Sequence, residues 1–272
     1  MNNSPIGIFD SGIGGLTVLK AVLRELPAEG TVYLGDTARV PYGIRSMETV
    51  IRYSFESMRF LLKKDIKMLV IACNTASAIS LEAIRNQSPI PVIGVIGPGA
   101  KAAVEASKNR RIGVIGTEAT IRSRSYIKAI KTMDNRAGVF GLPCPLFVPL
   151  VEEGWMDGEI ATLTAQKYLG GLRDKKIDTL LLGCTHYPLL KSTISKVMGP
   201  EVTLIDSAVE TAKEIKATLR ERRIAAGTRK GRKPVRQFYV TDSPERFKLV
   251  GERFLGQEIK NIEMVRLDTE AI

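Results

Sequence analysis

The chain has 272 residues, of which 44% are hydrophobic and 25% are charged, and its net charge is +11. This composition is ordinary for a globular protein and gives enough length for one large or two medium domains. No apolar run approaches the length of a membrane span, and the N-terminus lacks the basic start and long apolar core of a signal peptide. Three cysteines, an odd number, argue against a disulfide framework and favour free thiols in a reducing compartment. We therefore expect a soluble, cytoplasmic protein with no membrane partner.

Strand-like and helix-like segments alternate almost from end to end. Short apolar runs predict strands at 6–9, 31–34, 68–72, 91–96, 112–115, 139–142, 179–182, 202–205, 237–240 and 262–267. Helical spacing of apolar residues predicts helices at 14–26, 46–64, 75–85, 98–107, 118–133, 157–172, 189–198, 208–224 and 244–254. Repeated strand–helix–strand units imply an α/β fold with mostly parallel, doubly wound sheets and helices on both faces.

The order of features repeats along the chain. The strand at 6–9 resembles the strand at 112–115, and each is followed at similar spacing by an apolar run that ends in a small residue and a cysteine. These cysteines are Cys73 and Cys184, at the carboxyl ends of strands, where α/β proteins place their sites. The simplest explanation is two related α/β halves, with chance similarity among α/β units as the alternative. We expect the two thiols to act as a pair.

The positive charge is concentrated between Arg220 and Arg236, which holds eight basic residues against one acid, Glu221. Two glycines and a proline in this stretch predict an exposed loop after a helix. A nucleic-acid or polyanion site in this loop is the non-enzymatic alternative, and it predicts salt-dependent binding to DNA. Because no aromatic residue interleaves with the basic ones, the solvated loop is the favoured interpretation.

A glycine-rich turn, Asp-Ser-Gly-Ile-Gly-Gly at 10–15, follows the first strand and opens a helix. Such turns often bind phosphate or carboxylate at the helix N-terminus, but this one is neither a dinucleotide fingerprint nor a P-loop. Asp10 would repel an anion and suits a ligand that carries an ammonium group. The structural alternative is that Asp10 or Ser11 simply caps the helix.

Several segments together resemble the signature sequences of the bacterial glutamate racemases, within the aspartate/glutamate racemase family. These segments lie at 8–16, 35–43, 72–77, 145–154 and 183–188, and the resemblance runs in the same order from about residue 6 to 210. It implies a cofactor-independent amino-acid racemase that supplies D-glutamate for peptidoglycan and is commonly a homodimer. It also implies two pseudo-symmetric domains with the site between them, one of residues 1–96 plus 208–272 and the other of 97–207.

The chemistry of such a racemase suits a pair of thiols. Without a pyridoxal cofactor there is no electron sink, so two acid/base groups must lie on opposite faces of the α-carbon. Cys73 and Cys184 would serve as thiolate base and thiol acid, and their roles would exchange for the opposite enantiomer. A thiolate beside a helix N-terminus gains from the backbone N–H groups, which lower the pKa of a cysteine.

The resemblance also implies residues that bind the substrate. Asp10 should face the amine, and the expected donors are Ser11, Asn74, Thr75, Thr185 and the backbone of Tyr42 and Gly43. Thr117 and Thr120 occupy the equivalent turn of the second half and are additional candidates.

Three further side chains could assist the thiols. His186, the only histidine, either tunes Cys184 or relays its proton, or else is a structural histidine. Asp36 and Glu152 either support the thiols or serve as surface or capping acids. Cys144 lacks a matching partner and is interpreted as a packed structural cysteine.

Three alternatives concern the same thiols. A metal site of Cys73, Cys184 and His186 would lack compact ligand spacing, and a redox dithiol would need the two sulfurs too close together for a substrate to lie between them. A racemase for another amino acid such as aspartate is the nearest enzymatic rival.

Overall fold

The structure is a computed structural model, and it describes residues 2–227 and 234–267. Its strands are β1 (Ile6–Asp10), β2 (Thr31–Gly35), β3 (Met68–Ile71), β4 (Val92–Gly94), β5 (Arg111–Gly116), β6 (Gly138–Pro143), β7 (Thr179–Gly183), β8 (Thr203–Asp206), β9 (Arg236–Val240) and β10 (Ile262–Met264). Its helices are α1 (Leu16–Glu25), α2 (Met47–Leu62), α3 (Asn74–Gln87), α4 (Ile96–Ala106), α5 (Glu118–Arg122), α6 (Ser125–Met133), α7 (Phe147–Glu153), α8 (Gly158–Arg173), α9 (Lys191–Met198), α10 (Ser207–Glu221) and α11 (Pro244–Leu255). Two 3-10 turns lie at Tyr42–Ile44 and Tyr187–Leu190.

The strands form two sheets in which every pairing is parallel. The first sheet has the order β10-β9-β2-β1-β3-β4, and the second has the order β6-β5-β7-β8. The predicted α/β class with parallel sheets is therefore confirmed. The first sheet takes its strands from residues 6–94 and 236–264, and the second takes them from 111–206.

The two sheets share a topology that accounts for the repeat in the sequence. The order β2-β1-β3-β4 in the first sheet matches β6-β5-β7-β8 in the second. In this correspondence β1 matches β5, and β3, which precedes Cys73, matches β7, which precedes Cys184. Both cysteines thus lie at equivalent strand ends. Domain limits at 96/97 and 207/208 remain a proposal, and each falls one residue after the start of a helix, α4 and α10 respectively.

Burial on both faces explains why the central strands are continuous apolar runs. Every residue of β1, β3 and β7 is buried, as expected for parallel strands covered by helices on each side. Helices α1 and α10 pack against each other, and α10 also packs against α4. Ser46 N-caps α2, because its side chain accepts the Thr49 N–H at 3.3 Å.

Several element boundaries differ from the sequence prediction. The expected helix 118–133 is two helices, since Arg124 adopts a left-handed conformation with φ of 57° between them. Helix α7 was not predicted; its Pro149 is tolerated because it lies in the first turn of the helix. The strands expected at 91–96 and 262–267 are shorter, at Val92–Gly94 and Ile262–Met264.

Within the described part of the chain, no helix combines the length and apolar character needed to cross a bilayer. All three cysteines are free and buried. In the basic segment, α10 ends at Glu221 and β9 begins at Arg236. Residues 228–233, which hold much of its charge, lie outside the described residues, so the predicted basic loop stays a prediction.

Candidate active site

Cys73 follows β3 and occupies the N-cap position of α3. Its Sγ accepts the Ala76 N–H at 3.5 Å and lies 3.5 Å from the Ser11 Oγ. Burial and then the negative charge of Asp10 raise the pKa of the Cys73 thiol to about 12, although these hydrogen bonds act in the opposite direction. The expected lowering by the helix N-terminus is therefore outweighed, because the sulfur is desolvated and faces a carboxylate.

Cys184 follows β7 and has a different neighbour. Its Sγ lies 3.9 Å from the His186 Nδ1, and the His186 Nε2 lies 3.1 Å from the Glu152 Oε1. Burial lowers the pKa of His186, but the Cys184 sulfur and Glu152 outweigh burial and raise it to about 10. The hydrogen bond from His186 lowers the pKa of the Glu152 carboxyl despite partial burial. The three groups form a chain in which an imidazolium links a sulfur to a carboxylate.

The turn at 10–15 lies between the two cysteine segments. Ser11 contacts Cys73, whereas a Cβ added at Gly14 would lie 2.2 Å from the Thr185 Oγ1 and 2.5 Å from the His186 ring. The turn is also tied to the second segment because the Thr17 hydroxyl donates to the Thr185 carbonyl at 2.9 Å. A single loop of the first half therefore contacts both cysteine segments.

Asp10, at the end of β1, is buried in this turn. One carboxylate oxygen accepts the Gly12 N–H at 3.0 Å, and the other, Oδ1, has no hydrogen-bond partner among the described residues. Burial raises the pKa of Asp10, and the charge of His186 partly offsets that effect. A buried carboxylate oxygen without a partner is costly, so its position suits a ligand that brings a positive charge.

Hydroxyl and amide groups from both halves meet beside Cys73. The Thr75 Oγ1 lies 2.9 Å from the Thr117 Oγ1 and 3.2 Å from the Thr120 Oγ1, so the predicted additional candidates are close to the predicted donors. The Asn74 Oδ1 accepts a hydrogen bond from the Tyr126 hydroxyl at 2.6 Å. This bond leaves the buried Asn74 Nδ2 without a partner in the described chain, so the amide can donate to a bound anion.

The Tyr42–Gly43 segment forms a 3-10 turn against the same hydroxyl cluster. A Cβ at Gly43 would lie 2.9 Å from the Thr117 Cβ, so only glycine permits this approach. The Tyr42 hydroxyl donates to Asp36, which also accepts the Thr241 hydroxyl at 2.9 Å. Asp36 therefore contacts the Tyr42 turn and neither thiol. Of the two acids expected to support the thiols, only Glu152 is connected to a thiol, because His186 lies between it and Cys184.

Some contacts of the site had no signal in the sequence. Tyr126, Thr17 and the α11 residues Arg246 and Phe254 reach the site only through tertiary packing. Cys144 is buried and lies 3.8 Å from the Leu142 carbonyl, and burial raises the pKa of its thiol. Within the described residues, no group of three or more His, Cys, Asp or Glu side chains is arranged to hold a metal ion.

This arrangement has the elements of an acid/base site. Two thiols lie at matching strand ends, and one turn contacts Cys73 and the residues that follow Cys184. An amide nitrogen and a carboxylate oxygen near this turn are buried without a hydrogen-bond partner in the described chain. These features define an isomerase class that moves a proton on an amino acid. The chain belongs to the Asp/Glu/hydantoin racemase family, whose family model matches residues 6–215.

Individual relatives resemble the chain over nearly its whole length. A glutamate racemase of Geobacter metallireducens is 54% identical over 265 residues, which cover 97% of each chain. The structure of a glutamate racemase isoform of Bacillus anthracis is 44% identical, covers 98% of this chain and 99% of that one, and has a TM-score of 0.94. A glutamate racemase of Francisella tularensis in complex with D-glutamate is 40% identical, covers 99% and 100%, and has a TM-score of 0.92.

The contact at Gly14 gives a first prediction. Gly14→Ala should lower kcat/KM by about 10²-fold. Its methyl group would lie 2.2 Å from the Thr185 Oγ1 and 2.5 Å from the His186 ring, so both side chains would have to move. Gly170→Ala in α8, where an added Cβ has no neighbour within 4 Å, is the matched control and should keep full activity. Circular dichroism checks that both variants fold. Wild-type activity in Gly14→Ala would contradict the packing described.

The single histidine gives a second prediction. The His186 imidazole should stay protonated up to about pH 10, and Glu152→Gln should lower its pKa because a carboxylate that stabilises the cation is lost. Protein without a histidine tag has one histidine, so ¹⁵N NMR titration reports it directly. A wild-type midpoint at the ordinary value of about 6.5, or no change in Glu152→Gln, would contradict the proposed charge on His186.

Proposed function

We propose that this protein is a glutamate racemase that interconverts L- and D-glutamate without a cofactor and so supplies D-glutamate for peptidoglycan. The observation that carries the proposal is that Cys73 and Cys184 follow equivalent strands, and that the Asp10–Gly15 turn contacts Cys73 and the residues after Cys184. The glutamate racemases that cover nearly the whole chain support glutamate as the substrate.

In the proposed mechanism, one cysteine as thiolate removes the α-proton and the other as thiol returns a proton to the opposite face. The C–H bond breaks with its electron pair left on the α-carbon, and that pair then takes the proton of the second thiol. Each turnover therefore exchanges the protonation states of the two sulfurs. The same pair, used in the reverse order, acts on the other enantiomer.

In the proposed mechanism, the groups around the two thiols bind the substrate and stabilise the carbanion. We assign the substrate ammonium to the Asp10 Oδ1, and the α-carboxylate to the Asn74 amide and the Thr75 and Thr185 hydroxyls. Keeping the ammonium charged stabilises a neighbouring carbanion electrostatically, and donors fixed before the reaction need no reorganisation. Ser11, the Tyr42–Gly43 backbone, Thr117 and Thr120 complete the proposed pocket.

The two thiols have different polar neighbours. The carboxylate of Asp10 helps raise the pKa of Cys73, so an ammonium group that neutralises Asp10 would favour the Cys73 thiolate only when substrate is bound. Cys184 has the His186 ring beside it, and the His186 Nδ1, 3.9 Å from the sulfur, is close enough to exchange a proton with it. His186 and Glu152 therefore serve as assisting residues, whereas Asp36 serves to hold the Tyr42 turn.

Three further expectations belong to this proposal. We place the active site between two domains, residues 1–96 plus 208–272 and residues 97–207. We also expect a homodimer, which sedimentation tests. We expect a cytoplasmic location, which three free thiols favour and cell fractionation tests.

Aspartate is the alternative substrate, and assaying both amino acids side by side separates the two possibilities.

The cysteines give the third prediction. Cys73→Ala and Cys184→Ala should each reduce racemisation of glutamate, followed as loss of optical rotation, by at least about 10²-fold, because each removes one of two obligatory proton carriers. Cys144→Ala, which removes the third buried thiol, should remain active. Substantial turnover in either of the first two variants would rule out the two-thiol mechanism. Activity on aspartate in place of glutamate would overturn the substrate only.

A further inference from the structure

Helix α11 contacts the His186–Glu152 pair at three points. The Arg246 Nη2 lies 3.6 Å from the Glu152 Oε2, and the Arg253 Nη1 donates to the Glu152 carbonyl at 3.1 Å. The Phe254 ring packs against the His186 imidazole, with centroids 5.2 Å apart and an angle of 85° between the planes. We call Arg246, Arg253 and Phe254 the α11 contacts.

These contacts connect parts of the chain that belong to different sheets. Helix α11 lies between β9 and β10 of the first sheet. Glu152 lies in the last turn of α7 and His186 follows β7, both in the second half. Arg253 also lies over Gly154, the left-handed residue after α7, where a Cβ would come within 2.7 Å of its Nη1. The end of α7, and with it Glu152, is thereby held against α11.

The α11 contacts are connected to Cys184 through His186 and Glu152, and not to Cys73. Within the described residues, the polar neighbours of the Cys73 sulfur are Ser11, the Ala76 N–H and the charge of Asp10. None of these belongs to α11. The Cys184 sulfur instead lies beside His186, whose ring and carboxylate partner both contact α11.

We propose that Arg246 and Phe254 are positioning residues that hold the His186–Glu152 pair, so that α11 controls proton transfer at Cys184 and leaves proton transfer at Cys73 unaffected. Arg246 fixes the carboxylate, and Phe254 limits rotation of the imidazole by its edge contact. The Arg246 side chain is 57% exposed, so its ion pair contributes little to folding. Its loss should therefore change the reaction more than the stability. This inference rests on the proposed racemase function.

The experiment measures primary deuterium isotope effects on kcat/KM with α-deuterated L- and D-glutamate. Each enantiomer loses its label to a different cysteine, so each isotope effect reports how far that one proton transfer limits the rate. Arg246→Gln should lower kcat/KM by up to about fivefold. It should also raise the isotope effect for the enantiomer deprotonated by Cys184 and lower it for the other. A merely structural loss of active protein would leave both isotope effects unchanged.

Control variants show which enantiomer is deprotonated by Cys184. Glu152→Gln acts on the Cys184 side directly, so it identifies which enantiomer shows the increase. Lys248→Gln removes the same charge from an exposed position of α11 and should leave both isotope effects at wild-type values. Arg246→Lys should restore them, and Phe254→Leu should shift them in the same sense as Arg246→Gln.

The outcomes separate this inference from the proposed function. Wild-type protein without racemase activity would refute the proposed function and this inference with it. Active wild-type protein in which Arg246→Gln leaves both isotope effects unchanged, or shifts them oppositely to Glu152→Gln, would overturn the positioning role alone.

Discussion

The close packing of the Asp10–Gly15 turn is the constraint on which the rest of the site depends. Gly14 leaves no space for a side chain against Thr185 and His186, and Gly15 leaves none against Asp10, whose Cβ would lie 2.4 Å from an added Cβ. Ser11 on the same turn reaches Cys73. One six-residue loop thus contacts both cysteine segments and carries a single carboxylate. In the proposed mechanism the reacting carbon lies beside this loop.

The two thiols occupy equivalent places in the topology but unequal electrostatic environments. Cys73 faces the Asp10 carboxylate, whereas Cys184 faces an imidazolium held by Glu152. Two enantiomers have equal free energy in solution, so the reaction itself demands no bias between the two directions. An ammonium group on the substrate would reduce the difference, because it neutralises the carboxylate that disfavours the Cys73 thiolate. In this account, substrate binding therefore makes the two halves more alike.

Much of the fold followed from the sequence because the strands are buried on both faces and give continuous apolar runs. The paired cysteines were recognisable because β3 and β7 end in the same pattern. Local signals failed at Arg124, where a left-handed residue divides a helix, and they did not predict the short helix α7. The raised pKa of Cys73 could not be predicted from the helix N-terminus alone, since it depends on burial and on Asp10. Contacts from α11 depend on tertiary packing across the two halves, which no local pattern encodes.

The most direct test of opposed thiols is racemisation in deuterated water, stopped at low conversion and analysed separately for each enantiomer. Because the proton removed and the proton returned belong to different sulfurs, the product should carry deuterium at the α-carbon while recovered starting material stays protiated. The two-thiol mechanism predicts this result from L-glutamate and from D-glutamate. Deuterium entering the starting enantiomer as fast as the product would indicate a single base that serves both faces and would contradict the two-thiol mechanism.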